Sequence, residues 1–284
     1  LALSFDAHAR LIERRIIQAL IRVSNSPDLE TKRCVAFAFN NFSANETNHD
    51  VYERLGMLRS VIQLAADSDF DTHVQAIVAL RHLALDDKNR VRILELGGLE
   101  PLVKLSNEDP LNSQLELHRE VAACLRNLSL NEGNKVKMIA GGVLPGLVKC
   151  VHSSDQETAH QACGVIANLA ESTDNQEIMV EKGILHHLKF VLRSPNTLVK
   201  REASRAMANL SAEFEQTAVI ESQGGLPPLI LGLTSDDVLT QRFAAMGVGN
   251  LASNPDNQEK IIREGALEPL IRLANLENGD VESQ

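Results

Sequence analysis

The stretch from Ala208 to Leu229, ANLSAEFEQTAVIESQGGLPPL, decides how the whole chain is read. It opens on Asn209-Leu210-Ser211 and closes on Gly224-Gly225-Leu226-Pro227-Pro228-Leu229, and both marks return along the sequence. The first recurs in kind as Asn41-Phe42-Ser43, His82-Leu83-Ala84, Asn127-Leu128-Ser129, Asn168-Leu169-Ala170 and Asn250-Leu251-Ala252, at steps of 41, 45, 41, 41 and 41 residues. The second recurs as Gly56, Gly97, Gly142, Gly183, Gly224 and Gly265, with the same steps. Two registers sharing one interruption define a tandem repeat with a four-residue insertion.

Local chemistry divides each period into three helices. Fifteen residues before each anchor stand Ser26, Asp67, Asn112, Ser153, Ser194 and Ser235, side chains able to cap a helix, so the longest helix is expected to start there. Its apolar positions recur at helical intervals, as in Val199, Ala203, Ala206, Met207 and Leu210, which buries one face and leaves the other available. Seven residues after each anchor, Asn48, Asn89, Asn134, Asn175, Gln216 and Asn257 are expected to open a short helix that the glycine register closes. A middle helix follows, for example from Leu185 to Leu192. The insertion is placed in the loop from Asn107 to Asn112. A unit this small cannot bury its own apolar face, so neighbours must stack on a shared core.

Composition narrows the function. The core is aliphatic, since the chain has no Trp, one Tyr and eight Phe. A formal charge of −10 argues against nucleic acid as a partner. No apolar run reaches the roughly 18 residues that span a bilayer, so no direct membrane insertion is expected. Cys34, Cys124, Cys150 and Cys163 lack metal-site spacing and read as reduced thiols, which suggests a cytoplasmic setting. His186-His187 has no further ligand at suitable spacing, and the paired glycines repeat with the turns instead of forming a phosphate loop. No convergent nucleophile, base and oxyanion donor stands out, so neither an enzyme, a cofactor nor a small-molecule substrate is expected.

The Gly-Gly-x-x-Pro-Leu form, as in Gly97-Gly98-Leu99-Glu100-Pro101-Leu102, together with the Asn-Leu-Ser/Ala ending, resembles the armadillo repeat family. The likeness is nearest to vacuolar and axonemal armadillo scaffolds and more distant from β-catenin. It implies an all-α, right-handed superhelical solenoid forming one domain over residues 1–284. Its repeats are bounded near 1–44, 45–85, 86–130, 131–171, 172–212, 213–253 and 254–284. Five are complete; the first is expected to lack its short first helix and the last its long final helix, so the chain reads as part of a longer polypeptide.

In this family an extended peptide lies along a groove lined by the third helices, and the repeated Asn holds its backbone. By position that role falls on Asn41, Asn127, Asn168, Asn209 and Asn250, with His82 departing from the pattern in the second register. Nuclear import adaptors carry a Trp four residues before the Asn; here Phe37, Val78, Ala123, Gly164, Arg205 and Met246 stand there, so recognition of nuclear localisation signals is not expected. Eight residues before the anchors lie Arg33, Val74, Arg119, His160, Arg201 and Arg242, with Arg81, Arg126 and Arg205 nearby. This stripe either attracts an acidic or phosphorylated segment or is neutralised by neighbours such as Glu120 and Glu202. The expected partner is a protein, met as an extended segment; the alternative is an assembly scaffold that docks through its outer helices or end repeats.

Overall fold

The computed structural model describes residues 5–108 and 115–282, and among them every regular element is a helix. The Asn112 cap and most of the loop assigned to the insertion lie outside the described residues. The chain forms two compact units, Leu1–Cys150 and Val151–Gln284.

In the first unit, three helix triplets follow one another: α1 (Phe5–Glu13), α2 (Ile16–Val23) and α3 (Leu29–Ser43); α4 (His49–Arg54), α5 (Met57–Ala65) and α6 (Phe70–Leu83); α7 (Asp87–Glu95), α8 (Leu99–Asn107) and α9 (Leu115–Ser129). Then come α10 (Glu132–Ala140) and α11 (Leu144–Val151). The second unit begins with the long helix α12 (Gln156–Leu169), and continues with α13 (Thr173–Glu181), α14 (Ile184–Val191), α15 (Thr197–Leu210), α16 (Phe214–Ser222), α17 (Leu226–Gly232), α18 (Val238–Ala252), α19 (Pro255–Arg263) and α20 (Leu267–Glu282). Long helices pack side by side, α3 on α6 and α6 on α9 in one unit, α12 on α15 and α15 on α18 in the other. Between them lie fully buried aliphatic side chains such as Ile77, Leu80, Ile166, Leu169 and Leu210.

Three sequence expectations need correction. The first repeat has its short first helix, α1. The missing sign was a turn glycine: Arg15 occupies that register position and takes the left-handed conformation itself, φ 59°. The six register glycines all have φ between 74° and 87°, a region costly for a residue with a Cβ.

The long helices start two residues later than expected. Their caps are Asp28, Asp69, Asp155, Asn196 and Asp237, each accepting an amide from the first turn. The side chains expected to cap, Ser26, Asp67, Ser153, Ser194 and Ser235, instead accept the amide of the capping residue itself at 2.9–3.2 Å. The loop is thus tied twice, first to the cap and then to the helix.

Apart from Asn48, the residues seven after each anchor do not open the short helices but stand at their third position. Asn134, Asn175 and Asn257 are buried and donate back to the final carbonyls of the preceding long helix, Leu128, Leu169 and Leu251, at 3.0–3.1 Å. They satisfy orphan acceptors at that helix end.

Replacing Arg15 with Gly should stabilise the chain by about 0.5 to 1 kcal/mol, the left-handed penalty less the added backbone entropy of Gly. Arg15 is exposed, so little else is lost. Denaturant unfolding of the two proteins measures the difference.

Candidate functional site

The long helices bring the repeated Asn to corresponding points near their carboxyl ends, where three of them donate to the neighbouring repeat. Asn127 Nδ2 donates to Arg81 O at 3.0 Å, Asn209 Nδ2 to Ala167 O at 2.9 Å and Asn250 Nδ2 to Ala208 O at 3.0 Å. In all three the acceptor is the carbonyl just before the preceding anchor. Because the acceptor is a carbonyl, the donor must be the amide nitrogen, which fixes the side-chain orientation. Asn41 donates to Phe37 O of its own helix at 2.8 Å. Asn168 is buried, and its Oδ1 accepts Arg205 Nη2 at 2.7 Å.

His82 replaces Asn with different chemistry. Arg81 Nη2 lies 3.1 Å from His82 Nε2, which must accept because guanidinium only donates. Ser43 Oγ gives its own proton to Asn40 O, so its 3.4 Å contact with His82 Nδ1 assigns the proton to Nδ1. Burial, with the charge of Arg81 and the proximity of His49, pushes the imidazole down to about 4, so it is neutral at neutral pH.

The column of cations is paired within the stacks. Arg33 grips Asp69 through Nε at 3.0 Å and Nη2 at 2.7 Å, and Arg201 grips Asp237 in the same way at 3.1 and 2.6 Å. These carboxylates are the caps of the next long helices, and the arginine bonds hold both well below the usual carboxylate range. Arg81 meets Glu120 at 2.5 Å; Arg205 meets Glu171 and Glu202, each at 2.8 Å. His160 stands 3.8 Å from Glu202 and 3.6 Å from Glu157. Arg119 is exposed and also engaged. Arg242 is exposed and has no ion-pair partner among the described residues. Of the two readings of the stripe, the pairing favours neutralisation for Arg33, Arg81, Arg201 and Arg205. The sequence offered His187 only beside His186 and gave no sign of His152, whose Nε2 lies 2.9 Å from His187 Nδ1; residues 35 positions apart reveal this only through the period.

The sequence model of the family described as Armadillo/beta-catenin-like repeat matches residues 131–171, one full period. An engineered protein of known crystal structure superimposes on 94% of the chain, and 66% of its own, with a TM-score of 0.85 and 28% identity. The chain has the armadillo-repeat fold. Human Armadillo repeat-containing protein 3 is 29% identical over 102 residues, 35% of this chain and 12% of that protein, so the likeness covers a small part of the relative. A designed armadillo repeat protein in complex with the peptide (KR)4 is 22% identical and shares the fold, with a TM-score of 0.75 over 83% of this chain and 99% of its own.

The His82 shift carries a pH prediction. Its folded pKa lies below the ordinary 6.5, so the unfolded chain takes up the proton first, and stability falls as pH drops from about 6.5 to about 4. His82→Asn should remove that contribution, leaving a smaller loss of Tm between pH 7 and pH 5 than in the parent. Thermal unfolding across this range reads the slopes, and equal slopes would reject the assignment.

Proposed function

We propose that in each unit the row of long-helix ends binds an extended segment of a partner protein, gripping its backbone through Asn127 in the first unit and Asn209 and Asn250 in the second, while the buried Asn168 is held by Arg205. One observation carries the reading. On Asn127 and Asn209 the interhelix clamp uses an amide nitrogen with a second proton to give, while Oδ1 makes no bond among the described residues. One donor and one acceptor remain, the complement of a peptide unit. Asn250 gives its second amide proton to Ser211 Oγ at 3.3 Å and keeps only Oδ1.

Helices roughly 8 to 10 Å apart would offer one such rung to every two or three residues of a strand rising ~3.3 Å per residue. The designed armadillo protein that holds a (KR)4 peptide supports an extended ligand of this kind. Preference for an acidic or phosphorylated residue falls first to Arg242, because on Arg33, Arg201 and Arg205 a ligand would have to displace carboxylates already in place. The activity proposed is binding, without catalysis, and the ligand is protein, not nucleic acid or a small molecule.

A second reading has its own support. Phe190 and Leu231, on middle helices α14 and α17, are 63% and 55% exposed, a pair of apolar groups suited to docking an assembly partner on that face.

The test replaces Asn127, Asn209 and Asn250 with Ala and measures affinity for a partner segment mapped by cross-linking. Each lost clamp should cost about 1 kcal/mol of stability, so the comparison is made on variants that remain helical. The groove reading expects affinity to fall by about tenfold or more per rung used. Unchanged affinity in the folded variant, with loss in Phe190→Glu or Leu231→Glu, would transfer the function to the outer face.

A further inference from the structure

One repeat of the second unit departs from the others at two neighbouring positions. Five residues before the Asn anchors stand Ala36, Ile77, Ala122, Cys163 and Ala245, all apolar, but also Ser204. Eight residues after the turn glycines, Leu64, Leu105, Cys150 and Val191 bury their side chains, while the corresponding residue of α17 is Gly232. A Cβ on Gly232 would stand 2.8 Å from the Ala244 Cβ, so α17 sits close on α18. It would stand 3.8 Å from Ser204 Oγ, where other repeats place an apolar side chain and this one places none. Ser204 is 0% exposed, and its hydroxyl has no hydrogen-bond partner. A buried hydroxyl left unpaired is costly, and such groups call for an explanation.

Ser204 and Gly232 line a cleft of about 250 Å³. Lys200 and Arg193 also line it, and neither has an ion-pair partner among the described residues. Ser194 and Ser235 accept the amides of Asn196 and Asp237, both at 3.2 Å, which leaves their O–H protons available. Two threonines in the cleft are already committed: Thr234 donates to Leu231 O and Thr240 to Asp237. The one carboxylate lining it is Asp236, which is exposed; the charge of adjacent Asp237 is taken by Arg201. Two cations and three hydroxyl donors against one carboxylate suit a tetrahedral oxyanion, whose three terminal oxygens exceed what a planar carboxylate offers.

We propose that this cleft binds a phosphate monoester, presented by a phosphorylated Ser or Thr of a partner protein. The site stands independently of the Asn ladder; only the source of the phosphate rests on the reading of the chain as a protein-binding scaffold. A protein source is favoured over a lipid headgroup because a chain of net charge −10 is repelled by an anionic membrane surface, whereas a single phosphate group meets mainly the local cations.

The whole chain is titrated at constant ionic strength with inorganic phosphate, O-phosphoserine, inositol trisphosphate and chloride, following backbone amide NMR shifts of residues 193–204 and 232–237. Saturable shifts with phosphate and O-phosphoserine, absent with chloride, are expected. Arg193→Gln with Lys200→Gln should weaken binding by about tenfold or more, and Asp236→Asn should tighten it several-fold. Ser204→Ala separates ligand from defect: it should raise Tm by removing the unpaired hydroxyl, yet weaken phosphate binding by about tenfold. A raised Tm with unchanged affinity, or shifts that never saturate, would overturn the site. Tighter binding of inositol trisphosphate than of O-phosphoserine would overturn the protein source. The triple Asn variant should keep its phosphate affinity, so that failure of the groove reading and failure of this one are separately visible.

Discussion

The carboxylate at the head of a long helix is the joint on which these stacks depend. Asp69 and Asp237 each cap their own helix, accept a threonine hydroxyl from its first turn, and receive a two-pronged arginine from the repeat before. Aliphatic burial supplies most of the driving force, yet it is non-directional and would tolerate one helix sliding along the next. The guanidinium fork removes that freedom, since two parallel bonds fix both distance and angle. It also places a positive group on a carboxylate that already complements the helix dipole, which is why both acids stay ionised well into acid solution.

The same joint limits what the arginines can offer a ligand. A carboxylate from outside must compete with one that is covalently anchored one repeat away and already desolvated in part. Asn127 and Asn209 face no such conflict. Their clamp to the preceding carbonyl uses a nitrogen with a proton to spare, and it immobilises the amide before any ligand arrives. A partner backbone would meet groups whose rotamer entropy has already been lost in folding, which lowers the cost of ordering them on binding.

Much of this was legible in the sequence because the period is long and repeated: two independent registers located the six glycine turns and the long helices that end at the anchors. What failed had local causes. Ser26-Pro27-Asp28 and its counterparts place two capping side chains within three residues, and composition alone does not say which has extended backbone and which hydrogen-bonds to the other. The Asn after each anchor stands near a helix start, where exposed Asn caps; burial turned it back toward the previous helix instead. The first helix was hidden because Arg15 does the work of a glycine. The arginine pairs join residues 36 positions apart, and once the true cap position is known they follow from the repeat itself.

In a tandem array the shared positions maintain the stack, and the departures carry what distinguishes one rung from another. His82 is the clearest case on the Asn row. Its Nε2 lone pair is committed to Arg81 and its Nδ1 proton turns toward Ser43, so at neutral pH it holds no spare donor and acceptor of the kind that Asn127 keeps. A strand crossing α6 would find no backbone grip there and would depend on neighbouring rungs. Ser204 with Gly232 is the reverse case: a polar group and a missing side chain appear together, in one repeat, where the shared pattern asks for apolar contact. Two independent losses of packing at one spot would be an odd burden for a structure held mainly by aliphatic burial, and a bound oxyanion would give both departures a single cause.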